Sequence, residues 1–184
     1  FNAISVDGDT STNDTVFLLA SGTTRVGVDD GLYQALVAGL IEVCGTLARA
    51  IVRGGEGATR LVSITANGAA SPEDAKRAAR VIANSLLVKT AIHGGDPNWG
   101  RLVAAAGRAG VAFDIERVQV RVGPVVLFCD GVPYDDRAAD AAVYLAGSEI
   151  EIEVNLGSGG PCAATVWTCD LSAEYVRING EYRT

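Results

Sequence analysis

The chain has 184 residues, 48% hydrophobic and 20% charged, with a formal net charge of −7. That composition can bury a core in one or two domains and excludes a disordered chain. Its acidity excludes a general nucleic-acid binder, which needs a basic stripe, and says nothing positive about a substrate.

In chain order, Phe1–Val6 reads as a strand. Asp7 to Asp14 is a run of eight small polar residues, and Thr15–Ser21 reads as a second, apolar strand closed by Gly22. Asp, Asn, Ser and Thr side chains bond neighbouring backbone groups, so the polar loop either satisfies only itself or is held rigidly beside a site. Thr23 to Val28 is a connection. Asp29 and Asp30 are candidate N-caps of a long helix that repeats Leu32, Leu36, Leu40, Cys44, Leu47 and Ile51 on one face. Gly54-Gly55 stops it.

Leu61–Asn67 alternates and predicts a half-buried strand. Ser71-Pro72-Glu73-Asp74 starts a helix expected to run to about Leu86: Ser caps, Pro fills the first position, and the acids favour the helix dipole. Leu87–Ile92 reads as a short apolar strand, and Asp96-Pro97 as the cap and first turn of a helix through Ala106. Val118–Val122 alternates, Val125–Cys129 follows Gly123-Pro124, and Asp130-Gly131 signals a turn. Asp135–Leu145 is a helix, and Glu149–Val154 alternates acid with apolar. Gly157–Gly160 is a loop before a last strand, Cys162–Thr168, and Ser172–Ile178 is a short helix. Interleaved strands and helices define an α/β or α+β class with mixed sheets, with a boundary near Gly54–Thr59.

Chemistry is sparse. Gly54-Gly-Glu-Gly-Ala-Thr-Arg60 lacks the GxxxxGK[ST] pattern and follows a helix, so it is no phosphate loop. It is either a helix stop and turn, or glycines that bring Glu56 close to a ligand. His93 is the only histidine, which excludes a two-His metal site, and it reads as structural. Lys89 reads as a structural lysine on a strand, and Asp96–Arg101 as a helix start that packs Trp99. Cys44, Cys129, Cys162 and Cys169 form no CxxC pair and are expected as buried thiols of a cytoplasmic protein. No run of 18 apolar residues and no signal peptide are present, so no membrane partner is expected. The sequence has no Met, which suggests a piece of a longer precursor. From the residues alone, Asn179–Thr184 is a frayed terminus.

Four blocks carry a resemblance. They are Val6-Asp-Gly-Asp-Thr-Ser-Thr-Asn-Asp14; Gly55-Glu-Gly-Ala-Thr59; Leu87-Val-Lys-Thr-Ala-Ile92 with Asp96-Pro-Asn-Trp-Gly-Arg101; and Cys169-Asp-Leu171 with Tyr175-Val-Arg-Ile-Asn-Gly-Glu-Tyr-Arg-Thr184. In order and spacing they resemble the ornithine acetyltransferase family, the bifunctional glutamate N-acetyltransferases of arginine biosynthesis, in the beta-chain portion. The resemblance implies a layered sandwich of mixed sheets with helices outside, of the self-processing amino-terminal-threonine type, plus a C-terminal α/β subdomain. Residues 1–56 would belong to the sandwich, 57–170 to the C-terminal domain, and 171–184 to a tail returning to the active site.

The implied activity moves acetyl from N-acetylornithine to glutamate through an acetyl-threonine, with no metal or cofactor and with acetyl-CoA as a second donor in bifunctional members. Glu56, Asn179 and Thr184 match the family's substrate-binding residues, and the family block around Lys89 raises a role for it near the site. The nucleophilic threonine is expected upstream, in a Gly-Met…Ala-Thr context that this sequence lacks. None of Thr10, Thr12, Thr15, Thr23 or Thr24 has that flanking pattern. No catalytic residue, and no activity of the chain by itself, is therefore expected. The implied partner is a companion alpha chain from the same precursor, in a cytoplasmic heterotetramer of two alpha and two beta chains. The alternatives are a related self-processing aminopeptidase or hydrolase, and a non-catalytic amino-acid-binding subunit.

Overall fold

The computed structural model describes residues 1–23 and 27–181. Its elements are, in chain order, α1 (Asp30–Arg53), β1 (Leu61–Ala69), α2 (Pro72–Ala83), α3 (Leu86–Gly94), α4 (Trp99–Gly107), β2 (Gln119–Val122), β3 (Val125–Cys129), β4 (Val132–Pro133), a 3-10 turn (Asp135–Arg137), α5 (Ala138–Leu145), β5 (Glu149–Asn155), β6 (Cys162–Cys169) and α6 (Ala173–Glu181).

Period-two alternation sets the sheet. In β5 the glutamates at 149, 151 and 153 face outward, while Ile150, Ile152 and Val154 are buried. β5 runs parallel to β1, with Ile64 opposite Ile152, and antiparallel to β2. β6 adds antiparallel to the other side of β1, giving the mixed order β4-β3-β2-β5-β1-β6. The turn between β3 and β4 places Asp130 and Gly131 both at positive φ, the conformation that Asp-Gly supplies.

The covered face packs against small residues. Ser71 Oγ accepts from the Asp74 amide and Pro72 opens α2, which buries Ala75, Ala78, Ala79, Ile82 and Ala83 against β1 and β6. Alanines let the helix approach closely, and each buried Ile or Val contributes about 1.5–3 kcal/mol. α4 adds Leu102, Ala105 and Ala106, and α5 adds Ala141 and Leu145. Trp99 stacks on Phe128 at 4.6 Å between centroids. A smaller cluster on Val52, Leu61 and Cys169 joins the end of α1 to β1 and β6, packed by Ile4, Val6, Ala58 and Trp167.

Four segments differ from expectation. Leu87–Ile92 is helix: α3 follows Ser85, buries Val88, Lys89, Ala91 and Ile92 at helical spacing, and stops at Gly95 in the left-handed conformation. A short apolar run cannot distinguish the two periods. α2 accordingly ends at Ala83, short of Leu86. Phe1–Val6 contributes a single parallel bridge, Ile4 to Trp167. Thr15–Ser21 forms no strand, and Phe17 and Leu19 are 78% and 88% exposed.

α1 forms as expected, with Asp29 Oδ1 accepting from the Leu32 amide at 2.7 Å. Its anticipated stripe is not covered: only Ala48 and Val52 are buried, while Leu32, Leu36, Leu47 and Ile51 are exposed. By length and composition α1 is the one helix among the described residues that could cross a membrane. Counting uninterrupted apolar runs misses it because Gln34 and Glu42 divide the segment. The expected thiols are free, but only Cys169 is buried; Cys44, Cys129 and Cys162 are half-exposed.

Candidate functional site

At the end of β6 three segments meet: the start of the polar loop at Asp7, the turn carrying Glu56, and α6. The turn needs its glycines. Gly57 has φ +65°, and a Cβ there would stand 2.5 Å from the Tyr175 amide nitrogen and 2.7 Å from Ser172 Oγ. A Cβ on Gly55 would press on Val6 at 3.0 Å. Without side chains at both positions, the turn threads between the Val6 segment and the start of α6 and presents Glu56.

α6 begins where Ser172 Oγ accepts from the Tyr175 amide at 3.3 Å and donates to Gly57 O at 2.7 Å. One turn on, Tyr175 Oη donates to Asp7 Oδ2 at 3.1 Å. A further turn along, the Asn179 amide donates to Glu56 Oε2 at 2.6 Å and to the Tyr175 carbonyl at 3.0 Å. Two of the residues singled out by resemblance, Glu56 and Asn179, are therefore in direct contact. The third, Thr184, lies outside the described residues. Burial, the bond to Asp7, and the charges of Asp7, Asp9 and Glu56 push the Tyr175 hydroxyl above its ordinary 10.0, so it keeps its proton and donates.

The polar loop largely satisfies itself. Asp7 Oδ1 accepts from the Asp9 amide at 2.9 Å, and Ser11 Oγ from the amides of Asn13 and Asp14 at 3.2 Å each. It lies beside an open groove lined by Ser5, Gly8, Asp9, Ser11, Asp14 and Ile51.

Beneath these groups lie two buried charges. Lys89 Nζ donates to Val6 O at 2.8 Å, to Thr168 Oγ1 at 3.0 Å, and to Cys169 O. Three acceptors match the three donors of an ammonium. Burial lowers the Lys89 amine below its ordinary 10.5, opposed by Cys169, Asp170 and Asp7. Burial likewise pushes the Cys169 thiol up, despite Lys89.

The Asp170 side chain is fully enclosed. Its Oδ1 accepts from the amides of Thr59 and Arg60 at 2.8 and 2.9 Å, and its Oδ2 from Thr59 Oγ1 at 2.6 Å. His93 Nδ1 lies 2.7 Å from the same Oδ2. Burial raises this carboxyl, but the bonds from Thr59, His93 and Arg60 outweigh it and hold it below its ordinary 3.8. His93 is thus a hydrogen-bond partner of Asp170 within the scaffold, and Lys89 sits on a helix rather than a strand. Among the described residues no three His, Cys, Asp or Glu side chains converge as metal ligands. Sequence reasoning passed over Asp7, Tyr175 and Asp170 as polar groups of this cluster. The available signal for Asp170 was an acid directly after an apolar strand, between Cys169 and Leu171.

The chain is thus a mixed α/β fold in which a polar cluster of acids, an amide and a phenol sits at one strand end. The ArgJ family model matches residues 1–184, and the chain belongs to the ArgJ family. It is 50% identical over its whole length to the arginine biosynthesis bifunctional protein ArgJ of Parasynechococcus marenigrum, of which it covers 44%. It is 47% identical, again over its whole length, to the glutamate N-acetyltransferase of Methanocaldococcus jannaschii, of which it covers 47%. The crystal structure of the arginine biosynthesis bifunctional protein ArgJ from Bacillus halodurans superposes with a TM-score of 0.92 at 39% identity, over 99% of this chain and 87% of that one. The chain therefore spans less than half the length of the curated relatives but most of the solved chain.

Proposed function

We propose that this chain is one part of a glutamate N-acetyltransferase of arginine biosynthesis, and that Glu56, Asn179 and Thr184 bind its amino-acid substrates. A threonine hydroxyl on the remainder of the enzyme attacks the acetamide carbonyl of N-acetylornithine, forming an acetyl ester and releasing ornithine. The amine of glutamate then attacks that ester, giving N-acetylglutamate and restoring the hydroxyl, so the cycle is ping-pong. N-acetylornithine keeps a free side-chain ammonium and glutamate an α-ammonium, and the Glu56 carboxylate pairs with each on binding. The glutamate nitrogen gives up a proton before it attacks, and the threonine oxygen regains one as the ester breaks.

The observation that carries this reading is the contact between Asn179 and Glu56 at 2.6 Å. Residues 123 positions apart bring a carboxylate and a side-chain amide together. Both amide N–H groups are spent on Glu56 and the Tyr175 carbonyl, and the oxygens of the pair can accept from a substrate ammonium. The chain covers less than half of the relatives' length, which supports a companion alpha chain that supplies the rest of the enzyme. We place the two in the cytoplasm, as two alpha and two beta chains. Residues 1–56 then complete a catalytic sandwich with that partner, 57–170 form the C-terminal α/β domain, and 171–184 are the tail that closes on the substrate.

Glu56→Gln tests this in the complete enzyme, since it keeps shape and removes charge. Losing a charge-assisted hydrogen bond costs roughly 1.5–3 kcal/mol, so kcat/KM should fall by about 10- to 150-fold. Unchanged kinetics would reduce Glu56 to a turn residue.

A further inference from the structure

Asp170 has no exposed side-chain surface, so it cannot touch a substrate, yet its carboxylate gathers three hydrogen bonds from Thr59 and Arg60. Thr59 and Arg60 are the exit of the turn that presents Glu56. The middle of that turn is held by Ser172, two residues beyond Asp170, through Gly57 O at 2.7 Å. Ser172 also caps α6, which carries Asn179. One short segment after β6 therefore fixes both the turn bearing Glu56 and the helix bearing its partner. A neutral residue at 170 could fill the same space, but it could not draw two amides and a hydroxyl onto two oxygens. Stability alone does not call for this arrangement, because a buried charge is costly and an apolar residue of similar volume would serve packing as well.

We propose that Asp170 is a positioning residue that sets the Glu56 carboxylate opposite Asn179, a role that rests on the substrate-binding reading of Glu56. It acts through the Thr59 hydroxyl and the two backbone amides, with His93 holding the far side of Oδ2. A misplaced Glu56 weakens substrate capture and leaves the acetyl-transfer groups untouched.

The test uses the complete enzyme, with N-acetylornithine and glutamate as substrates and a melting temperature for every variant. Asp170→Asn keeps an oxygen for the amides but turns an NH2 toward Thr59 and His93. Its KM for glutamate should rise about tenfold, with kcat within about twofold of the parent. Thr59→Val removes only the hydroxyl bond and should shift KM in the same direction by a smaller factor, while Thr59→Ser should restore it. Ile64→Val, in the core away from the turn, serves as a control that lowers the melting temperature without changing KM. If Asp170→Asn does not fold, the Thr59 pair decides. Unchanged KM in both Asp170→Asn and Thr59→Val, with Glu56→Gln impaired, overturns the positioning role alone. Glu56→Gln with normal kinetics overturns the substrate role of Glu56 and this inference with it.

Discussion

Between Leu61 and Cys169 the apolar residues that alternate along the strands lie buried beneath α2, α4 and α5, whereas from Val16 to Leu47 residues just as apolar face solvent. Val62, Ile64 and Ala66 are fully enclosed, while Leu36 is 54% and Phe17 78% exposed. Periodicity reports which residues share a face. It does not report whether the same chain supplies something to cover that face. In the sheet region β1, β5 and β6 bring their own helices; α1 meets β1 and β6 only near its end, through Val52 and through Arg49 over the Trp167 ring.

Ile64→Ala should break the sheet region hardest. Ile64 is fully buried in the centre of β1, opposite Ile152 and Val166. Removing three heavy atoms there leaves a cavity that surrounding strands cannot close, at a cost of about 2–5 kcal/mol. A urea midpoint corresponding to less than 1 kcal/mol would mean that the core is far looser than these contacts indicate.

The junction between the two regions comes next. Gly57→Ala forces a Cβ onto a residue at φ +65° and against the Tyr175 amide. Left-handed strain costs about 1–3 kcal/mol, and relieving the clash moves α6 away from the Glu56 turn. The complete enzyme should then lose stability and substrate affinity together. Retention of both would show that the turn and α6 are not tied as described.

The legibility of the chain follows the same division. β1, β5 and the helix after Ser71 could be read in advance because their alternation, caps and proline act within a few residues. α3 could not, since the six residues of Leu87–Ile92 are too few to separate helical from strand period. Val16–Leu19 misled because a strand also needs a pairing edge, which the described chain does not offer there. At the site, the flanking glycines offered Glu56 as one of two readings and resemblance selected it, while Asn179 came from resemblance alone; their spacing of 123 residues carries no local signal. Asp170, and the partners of Lys89, were hidden for a different reason. Both charges meet mostly backbone groups of distant segments, Thr59, Arg60, Val6 and Cys169, and a sequence does not print which carbonyl or amide a buried charge will meet.

Leu36→Ala should have the smallest effect and separates the two regions most cleanly. In this chain by itself Leu36 touches solvent, and alanine is at least as good a helix former, so stability should change by about 0.5 kcal/mol or less. In the complete enzyme, if the companion chain covers α1 as a core covers its helices, the same substitution costs about 2–5 kcal/mol. The difference between the two measurements, made by denaturant titration on the chain and on the assembled enzyme, reads out the covering directly. It also separates two explanations of an apolar α1, because a face meant for lipid would stay insensitive in both proteins. Equal, near-zero changes in both would remove the proposed partner from this face, and with it the assignment of residues 1–56 to a shared catalytic sandwich.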